Sequence, residues 1–347
     1  MGSPAASLAL VGALCLVALG LGAAAWLVWG SQPEPTGLVP TPTVLATQSA
    51  LPTRDPLEPL TIDSIQRGEH LVFQNVVRSD DYAETSLVPL DSPAGMRLAT
   101  GLVCERVHFA SGHGICLTGE HDAVSRYFAT TFDAAFQPTG RIELDGAPTF
   151  TRVSPDGRLA AASFQTSPPT AQMPFAPTET WILDTLNGNV IADLSSFALQ
   201  RDGVEVTEQE IDHWGVTFKG DGNGFFATVR FGGNIFLAEG SLEENRLSVL
   251  QAGISAPSLS PDQSRLAFAR LVSNIGPTWR FHVLDLASGT MTELPESKSI
   301  DDQMEWMGDS DLLYGFATDI WMIAADGGSS PLPFLFGGLS PAVVNPL

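Results

Sequence analysis

The sequence predicts an all-β fold, a six-bladed β-propeller of four-stranded antiparallel blades, preceded by one N-terminal transmembrane helix. Two repeated units and one long apolar segment predict this architecture. The first unit is an apolar strand that ends in Asp, with Gly following after three residues, at Asp91/Gly95, Asp184/Gly188 and Asp285/Gly289. Such an Asp stabilises a turn and the Gly supplies positive φ, so each copy is typical of a β-hairpin.

The second unit is a Ser-Pro-Asp or Gly-Asp turn followed by a strand of small apolar residues. It occurs at Val153–Gly157, Gly220–Gly222, Leu259–Asp262 and Gly308–Ser310. The two units together predict two successive hairpins, and therefore four strands, in each repeat. We expect Asp156 and Asp262 to cap their turns.

The spacing of the repeats predicts the number of blades. The Asp markers at 91, 184 and 285 are 93 and 101 residues apart. If each interval spans two repeats, one repeat has about 47 residues, which is near the length of a propeller blade. Residues 68–347 then hold six blades.

Radial stacking gives every blade a neighbour on both faces. We therefore expect the strands nearest the axis to be small and apolar, as in Ala160–Ala162 and Leu266–Ala269. Ring closure is expected to pair the C-terminal run Leu339–Val344 with the first blade near Leu71–Phe73.

The N-terminal segment from Ala5 to Gly30 has no charged residue over 26 positions. This exceeds the roughly 20 residues that cross a bilayer's hydrocarbon core. A secretory signal peptide has a basic start and a shorter apolar core, so we expect residues 1–30 to be an uncleaved signal anchor; cleavage after Ala25 is the alternative. The expected location is the cell membrane, with one span and an extracytoplasmic C-terminal domain.

Residues 31–67 carry seven prolines and little hydrophobic periodicity. Proline favours extended, polyproline-like chain. We expect a flexible linker between the anchor and the propeller.

The charge excludes one class of partner. The chain has 39 acidic and 17 basic residues and a net charge of −22. A surface of this sign repels phosphate backbones, so we predict that the protein does not bind nucleic acid. Membrane attachment is expected through the N-terminal helix alone.

Cys104 and Cys116 lie outside the N-terminal helix, on two short apolar runs that flank the turn Ala110–Gly114. Two strands of one hairpin would bring them within bridging distance. We expect a disulfide, which would indicate an oxidising compartment. The alternative is a pair of buried thiols.

The segments Ser154–Ala162 and Ser260–Phe268, each followed downstream by an apolar strand, Asp and Gly, resemble the repeats of TolB-like six-bladed β-propellers. These are proteins of the bacterial cell envelope, and similar repeats occur in the propeller of prolyl oligopeptidases. The resemblance implies a binding role toward other envelope proteins.

Catalytic and metal motifs are weak. The chain has no Gly-x-Ser-x-Gly motif and ends with the propeller, so we expect no hydrolase domain and no enzymatic activity. His108, His113 and His121 are close in sequence, and three imidazoles can bind zinc, but their spacing matches no helical metal motif. We predict no metal and no cofactor.

Two long insertions, Gln165–Thr178 and Ser196–Asp212, depart from the repeat, and loops on one rim of a propeller commonly form binding sites. Met173, Phe175 and Trp214 are the candidate binding residues there; the alternative is that Trp214 belongs to the blade core.

The sequence predicts one of two functions. The first is a non-enzymatic interaction platform that binds an envelope or secretion protein, and the alternative is a glycan-binding or glycan-active propeller at the cell surface.

Overall fold

In the computed structural model, the strands begin and end at the repeated turns. The structure describes residues 60–346 except 123, 169–175, 209 and 274–277. A short helix, α1 (Ile62–Gln66), precedes the first strand.

Blade 1 contains the first three strands of the propeller, β1 (His70–Asn75), β2 (Glu84–Pro89) and β3 (Leu98–Val103). Blade 2 is built from β4 (Arg106–Ala110), β5 (His113–His121), β6 (Ser125–Asp133) and β7 (Pro138–Leu144). Blade 3 is built from β8 (Ala147–Val153), β9 (Leu159–Gln165), β10 (Thr178–Asp184) and β11 (Val190–Asp193).

After a 3₁₀ turn (Leu194–Ser196), blade 4 contains β12 (Ala198–Arg201), β13 (Val204–Glu205), β14 (Asp212–Phe218), β15 (Gly224–Phe231), β16 (Asn234–Ser241) and β17 (Arg246–Ala252). Blade 5 contains β18 (Ser255–Leu259), β19 (Arg265–Ser273), β20 (Thr278–Asp285) and β21 (Met291–Glu293). Blade 6 contains β22 (Glu305–Met307), β23 (Asp311–Phe316), β24 (Asp319–Ala324) and β25 (Leu332–Leu335), and the chain then forms β26 (Gly338–Val344).

The strand order confirms six blades and the predicted closure. Within the described residues the strands form six sheets, and β26 is the first strand of the sheet β26-β1-β2-β3. Leu71 pairs with Val343 and Val72 with Ala342 in antiparallel register. On its other side β26 contacts blade 2, because the Ser340 hydroxyl accepts the Val107 N–H and donates to the Val107 carbonyl, both at 3.0 Å. The C-terminal strand therefore links the two ends of the ring.

The Ser-Pro-Asp motif forms a hydrogen-bonded turn between the first two strands of a blade. The Ser154 hydroxyl donates to Asp156 Oδ1 at 2.6 Å and accepts the Leu159 N–H at 2.9 Å. Ser260 makes the same two bonds, to Asp262 and from Arg265. The prediction that Asp156 and Asp262 stabilise turns is confirmed.

The Asp-x-x-x-Gly motif forms the outer hairpins of blades 3 and 5. Gly188 has φ +71° and its N–H donates to the Asp184 carbonyl at 2.8 Å; Gly289 repeats this with Asp285. The copy at Asp91 differs, since the Gly95 N–H donates to Ser92 instead. All three copies share the Asp-to-Gly spacing, but the turn at Asp91 has a different hydrogen-bond geometry.

The small apolar strands lie one position farther from the axis than expected. Ala160–Ala162 belongs to β9 and Leu266–Ala269 to β19, each the second strand of its blade. These strands need small side chains because neighbouring blades cover both of their faces, and Ala160 and Ala162 are fully buried. The innermost strands β8 and β18 border the channel and carry polar residues.

Blade 4 departs from the four-stranded pattern. The segment predicted as a loop, 196–212, adds β12 in parallel to β17 and then β13 in antiparallel pairing to β12, which makes a six-stranded sheet. Phe197 and Leu199 are 7% and 2% exposed and pack beside Leu247. Burial of these two side chains explains why the segment joins the blade.

Residues 60–67, which we assigned to the linker, pack on the propeller. Ile65 is 1% exposed, and the Gln66 side-chain amide donates to the Ala134 carbonyl of blade 2 at 2.8 Å. No helix of the described segments is long and apolar enough to cross a membrane. The predicted helix over residues 1–30 lies outside those segments and stays a prediction.

The expected disulfide is present. Cys104 and Cys116 are bonded, with their Cα atoms 5.3 Å apart. Cys116 lies in β5, opposite Val107 of β4, and Cys104 lies two residues before β4. The bond therefore connects the entry to blade 2 with its second strand.

Candidate functional site

The innermost strands enclose a cavity of about 480 Å³ at one end of the propeller axis. We call this cavity the channel mouth. Each of the six blades contributes a residue from its innermost strand to the lining: His108, Arg152, Thr217, Ser258, Glu305 and Val343. The site therefore exists only when the ring is closed.

The wall of the channel mouth is made by the turns that join first and second strands. Pro155 and Pro261 come from the two Ser-Pro-Asp turns, and Ser111 and Gly308 from the equivalent turns of blades 2 and 6. The turns also contact one another, since the Ser111 hydroxyl donates to the Pro155 carbonyl at 2.7 Å. The rim is thus built from hydrogen-bonded turns, which makes it a preformed surface.

A buried ion pair forms the floor. Arg152 and Glu305 form an ion pair, and both side chains are about nine-tenths buried. The Arg152 guanidinium also donates to the Met304 carbonyl at 2.8 Å and to the Ser258 hydroxyl at 3.2 Å. Glu305 Oε1 accepts the Val343 N–H of the closing strand at 3.0 Å. The pair therefore joins blades 3, 5, 6 and 1 at the axis.

His108 completes the floor as a neutral ring. Burial, together with the nearby Arg152 guanidinium, lowers its pKa against the opposing effect of Glu305. The Val153 N–H donates to Nδ1 at 3.1 Å, and Nε2 lies 3.0 Å from Arg152 Nη1 and 3.4 Å from Glu305 Oε2. His108 therefore contacts both partners of the ion pair.

The floor is electrically balanced. Burial by itself raises the pKa of the Glu305 carboxyl, but the Arg152 guanidinium, His108 and the Val343 N–H outweigh burial and hold the pKa well below its ordinary value. The carboxylate stays ionised near neutral pH with its oxygens already engaged. Arg152 Nε is buried and has no hydrogen-bond partner among the described atoms, so the floor keeps one unused donor.

Exposed carboxylates surround the channel mouth. Asp156, Asp221, Asp262 and Asp309 lie on the first turns of blades 3 to 6, and Glu69 lines the opening itself. The rim therefore carries a concentrated negative charge.

Two of these carboxylates are stabilised in the ionised form. Hydrogen bonds from the Ser260 hydroxyl and from the Ser264 N–H and hydroxyl lower the pKa of Asp262 to about 2. The N–H groups of Asn223 and Gly224 lower that of Asp221. These two carboxylates therefore stay ionised near neutral pH.

The residues proposed from sequence lie elsewhere. Trp214 is 8% exposed, belongs to the core between blades, and donates its indole N–H to the Ser255 hydroxyl at 3.0 Å. Trp214 therefore lies in the blade core, which was the alternative to a role in binding. Met173 and Phe175 lie outside the described residues, so their role in binding stays a prediction.

Sequence reasoning did not find the floor of the channel mouth. His108, Arg152 and Glu305 are far apart in the chain and meet only at the axis. His108 was considered only with His113 and His121, which lie at the two ends of β5. A useful signal was available in the charged residues Arg152 and Glu305, each placed beside apolar residues of an innermost strand.

No protein-family model and no curated protein matches the chain in sequence. Among solved structures, TolB from Acinetobacter baumannii is similar with a TM-score of 0.55 and 14% identity, covering 80% of this chain and 66% of that chain. This chain thus spans just under two thirds of that TolB. A chain of a nidogen/laminin complex is similar with a TM-score of 0.53 and 11% identity, and the match covers 81% of this chain and 99% of that chain. At these identities the likeness concerns the fold alone, and the described part of the chain is a six-bladed β-propeller similar in fold to TolB.

Proposed function

We propose that the protein is a non-enzymatic cell-envelope protein that presents its propeller outside the cytoplasm as a platform for a partner protein. The partner, an envelope or secretion protein, binds at the channel mouth. One observation carries this proposal: a preformed cavity of about 480 Å³, lined by all six innermost strands, with an acidic rim and a charge-balanced floor. The apolar segment at residues 5–30 and the Cys104–Cys116 disulfide motivate the location.

The chemistry of the floor favours binding over catalysis. A general acid or base needs a pKa near the working pH and a free path to the substrate. Glu305 has a strongly lowered pKa and gives its oxygens to Arg152, His108 and Val343. His108 has one ring nitrogen engaged by the Val153 N–H. These groups hold the ring together.

The rim indicates the charge of the partner. Complementary charges steer association and exclude wrong partners. Because Asp221 and Asp262 are held ionised and Glu69 stands at the opening, a segment rich in Lys or Arg is favoured there. The net charge of −22 adds a long-range attraction for a basic partner.

The test is affinity capture from native membranes with the full-length protein as bait, after chemical cross-linking. We expect one stoichiometric envelope protein. Glu69→Lys should reduce its recovery at least fivefold, whereas Asp80→Lys, the same charge reversal on an exposed loop at the opposite end of β1, should not.

Equal recovery with both variants would show that the partner does not use the channel mouth. Capture of no protein, combined with binding of the purified protein to a glycan array, would support the glycan-binding alternative instead.

A further inference from the structure

A second cavity, of about 400 Å³, lies between blades 3 and 4 at the end of the strands opposite the channel mouth. We call it the blade 3–4 cavity. Its wall combines residues of β10, β14 and β15 with the segment that leads into β14, including Glu179, Glu208, Glu210, Asp212, His213 and Arg230. An adjoining cavity of about 430 Å³ shares Glu208, Glu210, Asp212 and Arg230, so the space continues outward to the surface.

Negative charge dominates this wall. Asp212 and Arg230 neutralise each other, since Arg230 Nε donates to Asp212 Oδ2 at 2.7 Å. Glu179, Glu208 and Glu210 remain as the excess. Burial, together with the carboxylates of Asp193 and Asp145, raises the pKa of Glu179, which indicates that this carboxylate lacks a compensating cation.

His213 supplies an independent sign of a ligand. The residue is 2% exposed and lines the cavity, and its Nδ1 has no hydrogen-bond partner among the described atoms. Burial lowers its pKa to about 4, so near pH 7 the ring is neutral, and Nδ1 can accept a hydrogen bond in the tautomer that carries its proton on Nε2. Buried polar groups in native proteins are normally hydrogen-bonded. The unpartnered Nδ1 of His213 at the wall of a cavity therefore points to a ligand that can hydrogen-bond to the ring, and the excess negative charge of the wall favours a cationic one.

The chemistry of the wall selects an organic cation over a metal ion. Among the described residues, no three side chains of His, Cys, Asp or Glu converge closely enough to hold a metal. A protonated amine needs no fixed coordination geometry and can donate up to three hydrogen bonds.

We propose that the blade 3–4 cavity binds a protonated primary amine, which donates to the free carboxylates of the wall and to the His213 ring. The amine can come from a free polyamine or from a lysine side chain of a protein, and both present the same ammonium group. This site is separate from the channel mouth, and its function does not depend on the partner proposed there.

The test is calorimetric titration of the full-length protein with spermidine and, separately, with end-blocked tetralysine, at 150 mM salt and pH 7. We expect at least one probe to bind with defined stoichiometry. Glu208→Gln/Glu210→Gln should weaken that binding at least tenfold. Glu243→Gln/Glu244→Gln removes the same charge from an exposed turn of blade 4 and should change it less than twofold.

Binding of spermidine alone identifies a free polyamine, and binding of tetralysine alone identifies a protein side chain. No binding of either probe would overturn the proposal. An equal loss of affinity in both double variants would also overturn it, because that result would indicate non-specific attraction of the probe to an acidic protein.

His213 provides a second test. In His213→Asn the side-chain oxygen lies near the position of Nδ1 and keeps an acceptor, whereas His213→Leu removes it. We expect Asn to bind the probe within about threefold of wild type and Leu to bind at least tenfold more weakly, with thermal unfolding used to confirm that both fold. Equal affinity of the two variants would remove the His213 ring from the site.

Discussion

The ion pair at the propeller axis should hold the ring closed, and Arg152→Met tests this. The methionine keeps much of the apolar stem but leaves the Glu305 carboxylate buried without its guanidinium. Removing one partner of a buried pair costs about 3–5 kcal/mol. The Val343 N–H and His108 still contact Glu305, which places the expected loss near the lower limit, at about 3 kcal/mol.

The assay is urea unfolding of the purified protein at pH 7, followed by the fluorescence of the buried Trp214 and Trp306. A loss of about 3 kcal/mol corresponds to a fall in Tm of about 5 °C for a propeller that spans residues 68–347, at an unfolding entropy of about 2.1 cal/mol/K per residue. Arg158→Met, an exposed arginine in the Ser-Pro-Asp turn of blade 3, is the matched control and should change stability by less than about 0.5 kcal/mol.

The double variant Arg152→Met/Glu305→Gln separates the charge effect from packing. Glutamine keeps an oxygen for the Val343 N–H and removes the unpaired charge. We expect the double variant to be more stable than the sum of the two single losses predicts, by at least about 1 kcal/mol. Additive losses, or an Arg152→Met variant as stable as wild type, would refute the role of the pair.

Three further predictions concern the closure, the buried histidine and the disulfide. Deleting residues 338–347 removes β26, so thermal unfolding followed by circular dichroism should become broad and less cooperative; an unchanged transition would argue against closure by this strand. The pKa of His213 is lowered to about 4, so below pH 6.5 the unfolded chain binds a proton that the folded chain does not; stability should fall between pH 6.5 and 4 by up to about 1.4 kcal/mol per pH unit from this group. Replacing His213 by Gln should remove that part of the slope, and an identical pH profile would contradict the assignment. Changing Cys104 and Cys116 to Ala should lower the free energy of unfolding by about 3 kcal/mol, measured in urea, and no change would show that the bond contributes little.

The blades could be predicted from sequence because their turns are local. The Ser154–Asp156 and Ser260–Asp262 hydrogen bonds join residues two positions apart, and Asp184 and Gly188 close a turn within five residues. Short-range chemistry of this kind is visible in the order of residue types. The expected closure of the ring by the C-terminal run is confirmed by the pairing of Leu71 with Val343.

The remaining features depend on contacts between distant parts of the chain. The strand Ala198–Arg201 pairs with residues that begin at Arg246, and no local signal marks it as part of blade 4. The small apolar strands were assigned to the axis, although they lie in the second position, where two neighbouring blades cover them. His108, Arg152 and Glu305 meet only because the ring closes, so their shared role could not be predicted from spacing.

The most direct test of the proposed function is site-specific photo-cross-linking in intact cells. A photoreactive residue replaces Glu69 at the channel mouth in the full-length protein, and the same residue at Asp80, on an exposed loop at the opposite end of β1, is the control. The account predicts one discrete cross-linked product from position 69, containing an envelope protein joined through a segment rich in Lys or Arg, and no such product from position 80. The same product from both positions, or a product from position 80 alone, would contradict the claim that the channel mouth is the binding site.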